Sequence, residues 1–153
     1  MKQRNEKNGS KNDDWLTPPY LLKKIKDEFG EFFDPCPYQA DFDGLSMDWE
    51  KVNYINPPYS SPRKSLFIKK AIEEYKKGNI CILLIPANTE TRDFKLLWNV
   101  AKEIRFLHKR IKFHGFNTKG EWVTNNSGQT GSMLIVLEEH YQDYPEVSLI
   151  EHI

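Results

Sequence analysis

Several features that would assign this chain quickly are scarce in it. Two cysteines, Cys36 and Cys81, in 153 residues are too few for a disulfide scaffold or a zinc cage, and no metal site is expected. No apolar run approaches the ~20 residues of a membrane-spanning helix, and the Lys/Asn-rich start has no signal-peptide hydrophobic segment. A reduced, cytoplasmic protein without a membrane partner is the expectation. Net charge is absent too, since 22 Lys and Arg balance 22 Asp and Glu. A neutral total weighs weakly against nucleic-acid binding, but the distribution of charge matters more than its sum. Between positions 102 and 119 stand six basic residues (Lys102, Arg105, Lys109, Arg110, Lys112, Lys119) and one acid, Glu103. From position 138 onward there are five acids (Glu138, Glu139, Asp143, Glu146, Glu151) and no Lys or Arg. That asymmetry produces a basic face and an acidic tail, unless the charges mix again in space.

What is present suits one soluble globular domain. Hydrophobic residues make up 39% and aromatics 13%, and a chain near this length hides roughly 70% of its unfolded surface. Residues 1–13 are polar and lack apolar periodicity, so they read as a flexible lead, with 14–153 as the domain. Thr17 has the character of a helix N-cap, with Pro18 at the first helical position and Gly30 closing the helix; Leu21, Leu22, Ile25 and Phe29 mark its buried face. A short strand is expected at 32–34. Residues 35–51 form a loop with room for one helical turn, and 52–55 form the next strand. Ser61 and Pro62 start a helix that Gly78 ends, with Ile68, Ala71, Ile72 and Tyr75 on one face. The continuous apolar run 80–85, stopped by Pro86, is the mark of a central strand covered on both faces. Phe94, Leu97, Trp98 and Ala101 trace another helical stripe. Strands at about 103–107 and 109–113, a polar stretch at 114–131 and a last strand at 133–137 complete the chain. Strands alternating with helices predict a mostly parallel sheet with helices on its faces. Ligands bind outside the carboxyl ends of such strands, where the loops after 34, 55 and 85 should meet.

The most informative stretch is Asn56-Pro57-Pro58-Tyr59, directly after an expected strand. It resembles the catalytic loop of amino-group methyltransferases that use S-adenosyl-L-methionine, and the chemistry accounts for each residue type. An exocyclic amine on an aromatic base is a poor nucleophile, because its lone pair is delocalised into the ring. The Asn56 side-chain oxygen and the Pro57 carbonyl supply two acceptors for the amine hydrogens. The prolines fix φ and remove N–H donors, and Tyr59 offers a flat face for a base, a contact typically worth ~1–3 kcal/mol. The plain structural alternative is a Pro-Pro turn that ends a strand.

Further segments extend the likeness. Asp14-Trp15-Leu16-Thr17-Pro18, Phe33-Asp34-Pro35-Cys36, Asp43 to Trp49, Leu84 to Thr91, Arg110-Ile111-Lys112-Phe113 and Ser132 to Val136 resemble, in order and spacing, the small phage and prophage Dam-type DNA N(6)-adenine methyltransferases over roughly 14–137. The resemblance implies a shortened Rossmann-like sheet and methyl transfer from S-adenosyl-L-methionine to a DNA adenine in a bacterial host cell. It implies that Trp15, Thr17 and Pro18 line the methionine end of the cofactor, and that Asp34, with Pro35 and Cys36, meets its ammonium. It places Asp48 and Trp49 at the cofactor adenine, Asn56 beside the reacting methyl, and Phe113 against a flipped base. Arg63, Lys64, Arg110 and Lys112 become phosphate contacts, and Phe116 and Trp122 belong to a hairpin over the substrate face. Thr17 as a cap, and Trp49 and Phe113 as core, are the structural alternatives. The chain departs from the methyltransferase pattern in two ways. No glycine follows Asp34 before Gly44, and only 22 positions separate Asp34 from Asn56, too few for the two helix–strand units of a full sheet. Protein glutamine methylation, cytosine N(4) methylation and a non-catalytic binding protein on a decayed fold are the rival readings.

Overall fold

A computed structural model of the chain describes residues 15–60 and 62–151; the expected flexible lead, Asp14 and the helix start at Ser61 lie outside the described residues. In chain order these hold α1 (Pro19–Phe29), a 3-10 turn (Gly44–Ser46), β1 (Val52–Ile55), α2 (Arg63–Lys76), β2 (Ile80–Pro86), α3 (Arg92–Trp98), β3 (Glu103–Leu107), β4 (Phe113–Phe116), β5 (Trp122–Asn126), β6 (Ser132–Leu137) and β7 (Glu146–Ile150). Five strands form one sheet in the order β1-β2-β6-β3-β7, and β4 and β5 form a separate hairpin. Among the described residues no helix is long and apolar enough to cross a membrane.

The apolar run that becomes β2 is buried from Cys81 to Ile85, with a hydrophobic layer on each face. One layer packs Phe67, Ile68 and Ala71 of α2 and Leu97 of α3 onto Ile55, Leu83 and Ile135. The other packs Leu21 and Ile25 of α1, with Ile111 and Phe113, onto Tyr54, Ile82 and Leu134. β1 pairs parallel to β2, and β3 parallel to β7, but β6 lies antiparallel to both β2 and β3. The sheet is therefore mixed, a correction to the mostly parallel expectation. A parallel return needs a crossover, usually a helix; the connection from Leu107 to Ser132 carries the β4–β5 hairpin instead, so β6 starts at the edge where β3 ends and runs back. That same geometry stands the hairpin at the carboxyl edge of β1, β2 and β3.

Four further expectations change. The strand at 32–34 shrinks to a single parallel bridge, Phe33 with Asn53, because Pro35 lacks an N–H and the Asp34 carboxylate turns the chain by accepting from Cys36 N–H at 2.9 Å. α1 starts at Pro19, and Pro18 is extended at ψ 145°, since a residue before proline is kept out of the helical region. Thr17 is thereby released from capping. At 109–113 there is no strand until Phe113: both edges of β3 are already taken by β6 and β7, and Ile111 turns into the core instead. The acidic C-terminal stretch contains the edge strand β7, whose Val147 and Leu149 are exposed.

The missing glycine turn has a physical counterpart. Gly44 is buried against the strand-ending loop, and a Cβ there would lie 1.9 Å from the Pro35 carbonyl oxygen and 2.8 Å from its carbon. The Gly44 carbonyl also accepts from the Trp49 indole at 2.7 Å. Gly44→Ala is expected to cost about 1–3 kcal/mol through overpacking against a backbone that cannot yield, read as a lowered denaturation midpoint; an unchanged midpoint would mean the loop swings clear of Pro35.

Candidate active site

Asn53 sets the register of β1. Its side chain is wholly buried, donates to Glu50 O at 2.8 Å and Ile80 O at 3.2 Å, and accepts from Glu50 N–H. With β1 so fixed, Asn56-Pro57-Pro58-Tyr59 leaves the carboxyl edge of the sheet beside the end of β2.

A cleft of about 600 Å³ opens there. Trp15, Asn56, Pro57, Tyr59, Pro86 and Phe113 make a largely apolar wall, while Asn88, Thr118, Asn126, Gln129 and Thr130 make a polar one. Pro58 is half-buried and outside it. The Tyr59 hydroxyl donates to Leu84 O at 3.4 Å, and its ring meets Phe113 edge-on at 6.2 Å and 89°. Burial pushes the Tyr59 phenol up, with Ser132 as a hydrogen-bonding neighbour. Tyr59 is the one titratable side chain among those lining the cleft.

The Asn56 amide has a defined orientation. Its Nδ2 donates to the Trp15 carbonyl at 2.9 Å. A carbonyl only accepts, so the NH₂ group must face Trp15, and Oδ1 remains the acceptor of that amide. Trp15, expected at the cofactor, thus holds the central residue of the motif and also lines the cleft.

A second group of residues lies outside the lining of the cleft. The Thr17 and Tyr54 hydroxyls are 2.6 Å apart and buried. Asp34 stands at the end of the bridge that flanks β1, and burial pushes its carboxyl up from 3.8 to about 6 against the lowering effect of the Cys36 N–H. Thr17, Pro18, Asp34, Pro35 and Cys36 do not line the cleft.

Other expected residues are elsewhere. Asp48 and Trp49 precede β1, and therefore lie toward its amino end, opposite the cleft. Asp48 is exposed and paired with Lys77 at 3.2 Å. Trp49 is 6% exposed, with its ring stacked on Phe67 at 6.5 Å and covered by Lys70. Neither lines the cleft, because β1 begins too soon after them to bring them round to its far end. Arg63 lies exposed with its guanidinium over the Phe67 ring, and Lys64 is half-buried on the same helix. The basic cluster divides. Lys102 pairs with Glu138, and Arg105 is held by Glu28 and Glu103, leaving Lys109, Arg110, Lys112 and Lys119 exposed near the hairpin. Arg110 also donates to Gly128 O at 3.3 Å. In the hairpin, Trp122 meets Phe116 edge-on at 5.2 Å and Tyr38 at 6.0 Å, so it leans over the loop that follows Asp34.

Sequence reasoning set the 114–131 stretch over the substrate face but did not single out Thr118, Gln129 or Thr130, nor the Trp15 carbonyl. Backbone partners carry no residue-type signal.

A DNA N-6-adenine-methyltransferase of Escherichia phage T1 is 30% identical over 105 residues, which cover 60% of this chain and 43% of the relative. The chain thus spans less than half of that relative's length in the match. No solved structure matches it significantly. The model of the DNA N-6-adenine-methyltransferase (Dam) family matches residues 4–152, nearly the whole sequence, and the chain belongs to that family.

Proposed function

We propose that this protein transfers a methyl group from S-adenosyl-L-methionine to the exocyclic N(6) amine of adenine in DNA, in the cytoplasm of a bacterial host and from a phage or prophage gene. The observation that carries this reading is the Asn56 amide, turned by the Trp15 carbonyl so that Oδ1 is its remaining acceptor at a cleft with one apolar and one polar wall. The fold reading is a shortened Rossmann-like sheet. It is supported by the parallel β1/β2 pair with its loops at the carboxyl edge, and by the 3-10 turn that alone fills the space between Asp34 and β1.

An adenine must leave the DNA stack to reach such a cleft, at a typical cost of a few kcal/mol. Tyr59, Phe113 and the prolines offset that by stacking and burial, and the hairpin amides and hydroxyls bond the base edge. Asn56 Oδ1 and the Pro57 carbonyl orient the amine. Orientation and electrostatics suffice for this step, in keeping with a cleft that lacks an acid or base of ordinary pKa. S-adenosyl-L-methionine, when bound, supplies an electrophilic methyl sulfonium. Asp34 fits its ammonium: it is a desolvated carboxylate that accepts from the Cys36 backbone N–H.

Labelled-methyl transfer to DNA, followed by base analysis, tests the function. Label on adenine N(6) is expected; label on protein, on cytosine or on nothing overturns the reading.

Asp34 also makes the cofactor site pH-sensitive. Its folded value of about 6 exceeds the ordinary 3.8, so ionisation inside the unliganded protein is unfavourable. Its contribution to stability is full below the unfolded value and is lost as pH rises through about 6. An ammonium partner reverses that preference. Cofactor affinity should be level above about pH 6 and fall by up to tenfold per unit below it. Asp34→Ala should remove this dependence and weaken binding at least about tenfold, because hydrogen bonds to charged groups contribute ~1.5–3 kcal/mol. Calorimetry between acid and neutral pH is the check; a flat wild-type profile would move the ammonium elsewhere.

A further inference from the structure

We propose that residues 15–17 are a positioning strap that ties the β4–β5 hairpin to the Asn56 amide; the inference rests on the methyl-transfer reading and adds a coupling to it. Three successive residues make three different attachments. Leu16 pairs with His114 of β4 as an antiparallel bridge, donating to His114 O at 2.7 Å and accepting from His114 N–H at 3.0 Å. The Trp15 carbonyl holds Asn56 Nδ2 at 2.9 Å. The Thr17 hydroxyl, on the other side, is anchored to the buried Tyr54 hydroxyl of β1 at 2.6 Å. A shift at the base of the hairpin therefore moves Leu16, and with it the carbonyl next in line. Thr17 and Tyr54 are the fixed end of this lever.

The attachment matters because a side-chain amide has a broad, roughly two-fold torsion. Untied, Asn56 presents NH₂ to the cleft as readily as Oδ1, and NH₂ facing an amine sets donor against donor. Tied, it presents the acceptor. Trp15 and Leu16 are thus positioning residues acting through their backbone, and engagement of the hairpin by DNA bears on the geometry at the reacting amine.

Asn56→Asp tests the tie without touching the core. The ionised carboxylate meets the Trp15 carbonyl acceptor to acceptor and is pushed away. When protonated, its O–H donates to Trp15 while its C=O keeps the role of Oδ1. With an adenine-containing duplex and saturating labelled S-adenosyl-L-methionine, kcat relative to wild type should be about a hundredfold down at alkaline pH, the scale of a misplaced reacting group. It should recover as pH falls toward the ordinary aspartate range of about 4 and the carboxyl protonates, with KM for DNA within about twofold of wild type throughout. A variant-to-wild-type ratio that does not change with pH overturns the proposal.

A second measurement needs no activity. By NMR of the free protein, the Asn56 side-chain amide protons should exchange more slowly than those of exposed Asn99. Leu16→Pro, which deletes the donor to His114, should abolish that protection. Exchange of Asn56 as fast as that of Asn99 in the wild type overturns the strap, whether or not the Leu16→Pro chain folds. A wild type that protects Asn56 yet transfers no methyl group to DNA supports the strap and overturns the functional reading alone.

Discussion

Asn56→Ala is expected to abolish methyl transfer while cofactor affinity stays within about twofold. Truncation deletes the acceptor that orients the amine, a group of the kind whose removal typically lowers kcat ~10²–10³-fold. Oδ1 and the Pro57 carbonyl act on one NH₂ group, so losing either also misplaces the other hydrogen. Stability should suffer little. The side chain is half-buried and makes one recorded hydrogen bond, to Trp15 O, which is worth about 1 kcal/mol at such a site. The comparison needs folded protein, a labelled-methyl assay on DNA and calorimetry with the cofactor. A folded Asn56→Ala protein that works near the wild-type rate would remove Asn56 from the chemistry.

Excising residues 117–128 is expected to lower DNA affinity by at least tenfold and leave cofactor binding intact. The segment carries Trp122 and the exposed Lys119, and it supplies Thr118, Asn126 and Gly128 to the cleft. Trp122 and Phe116 are 47% and 39% exposed, apolar rings with a face available to a base, and base–aromatic stacking is worth ~1–3 kcal/mol. Asparagine amides bond adenine edges and lysine contacts phosphate. The excision stops short of Phe113 and of the Leu16–His114 bridge, so that bridge stays in place, while Phe113 loses its strand partner Asn126. Titration of labelled duplex in low salt is the measurement. Parent-level affinity and methylation in the excised protein would make the hairpin a mere connection.

Much of this arrangement was legible from the residues. The apolar runs that become β2 and β6 announce themselves because strands buried on both faces must be hydrophobic throughout. The proline-bearing loops after β1 and β2 do meet, with Asn56, Tyr59, Pro86 and Asn88 in one cleft. Other features were hidden for identifiable reasons. β7 is an exposed edge strand whose apolar side chains alternate with polar ones in an acidic setting, so composition pointed to a tail. The direction of β6 depends on its connection rather than on its own residues. Asp48 and Trp49 follow a familiar spacing, but the early start of β1 leaves them outside the lining of the cleft. Arg105 and Lys102 belong to a basic run in sequence, yet their partners Glu28 and Glu138 come from α1 and from the residue just past β6. Ion pairing in space cannot be read from charge order.

The place of β6 between β2 and β3 has a consequence for biogenesis. This central strand is synthesised after both of its neighbours and after the hairpin, so among the described strands nothing bridges the two halves of the sheet until β6 has emerged. Non-local pairings of this kind slow folding because chain closure precedes the contacts that reward it. The pairing of Leu16 with His114 is equally long-range. A nascent chain that has emerged as far as Lys112 carries the whole Asn-Pro-Pro-Tyr motif but neither the hairpin nor the strand that joins the sheet. Such a truncated product should be unable to act on DNA, and the core and the site should reach their final form in the same late step.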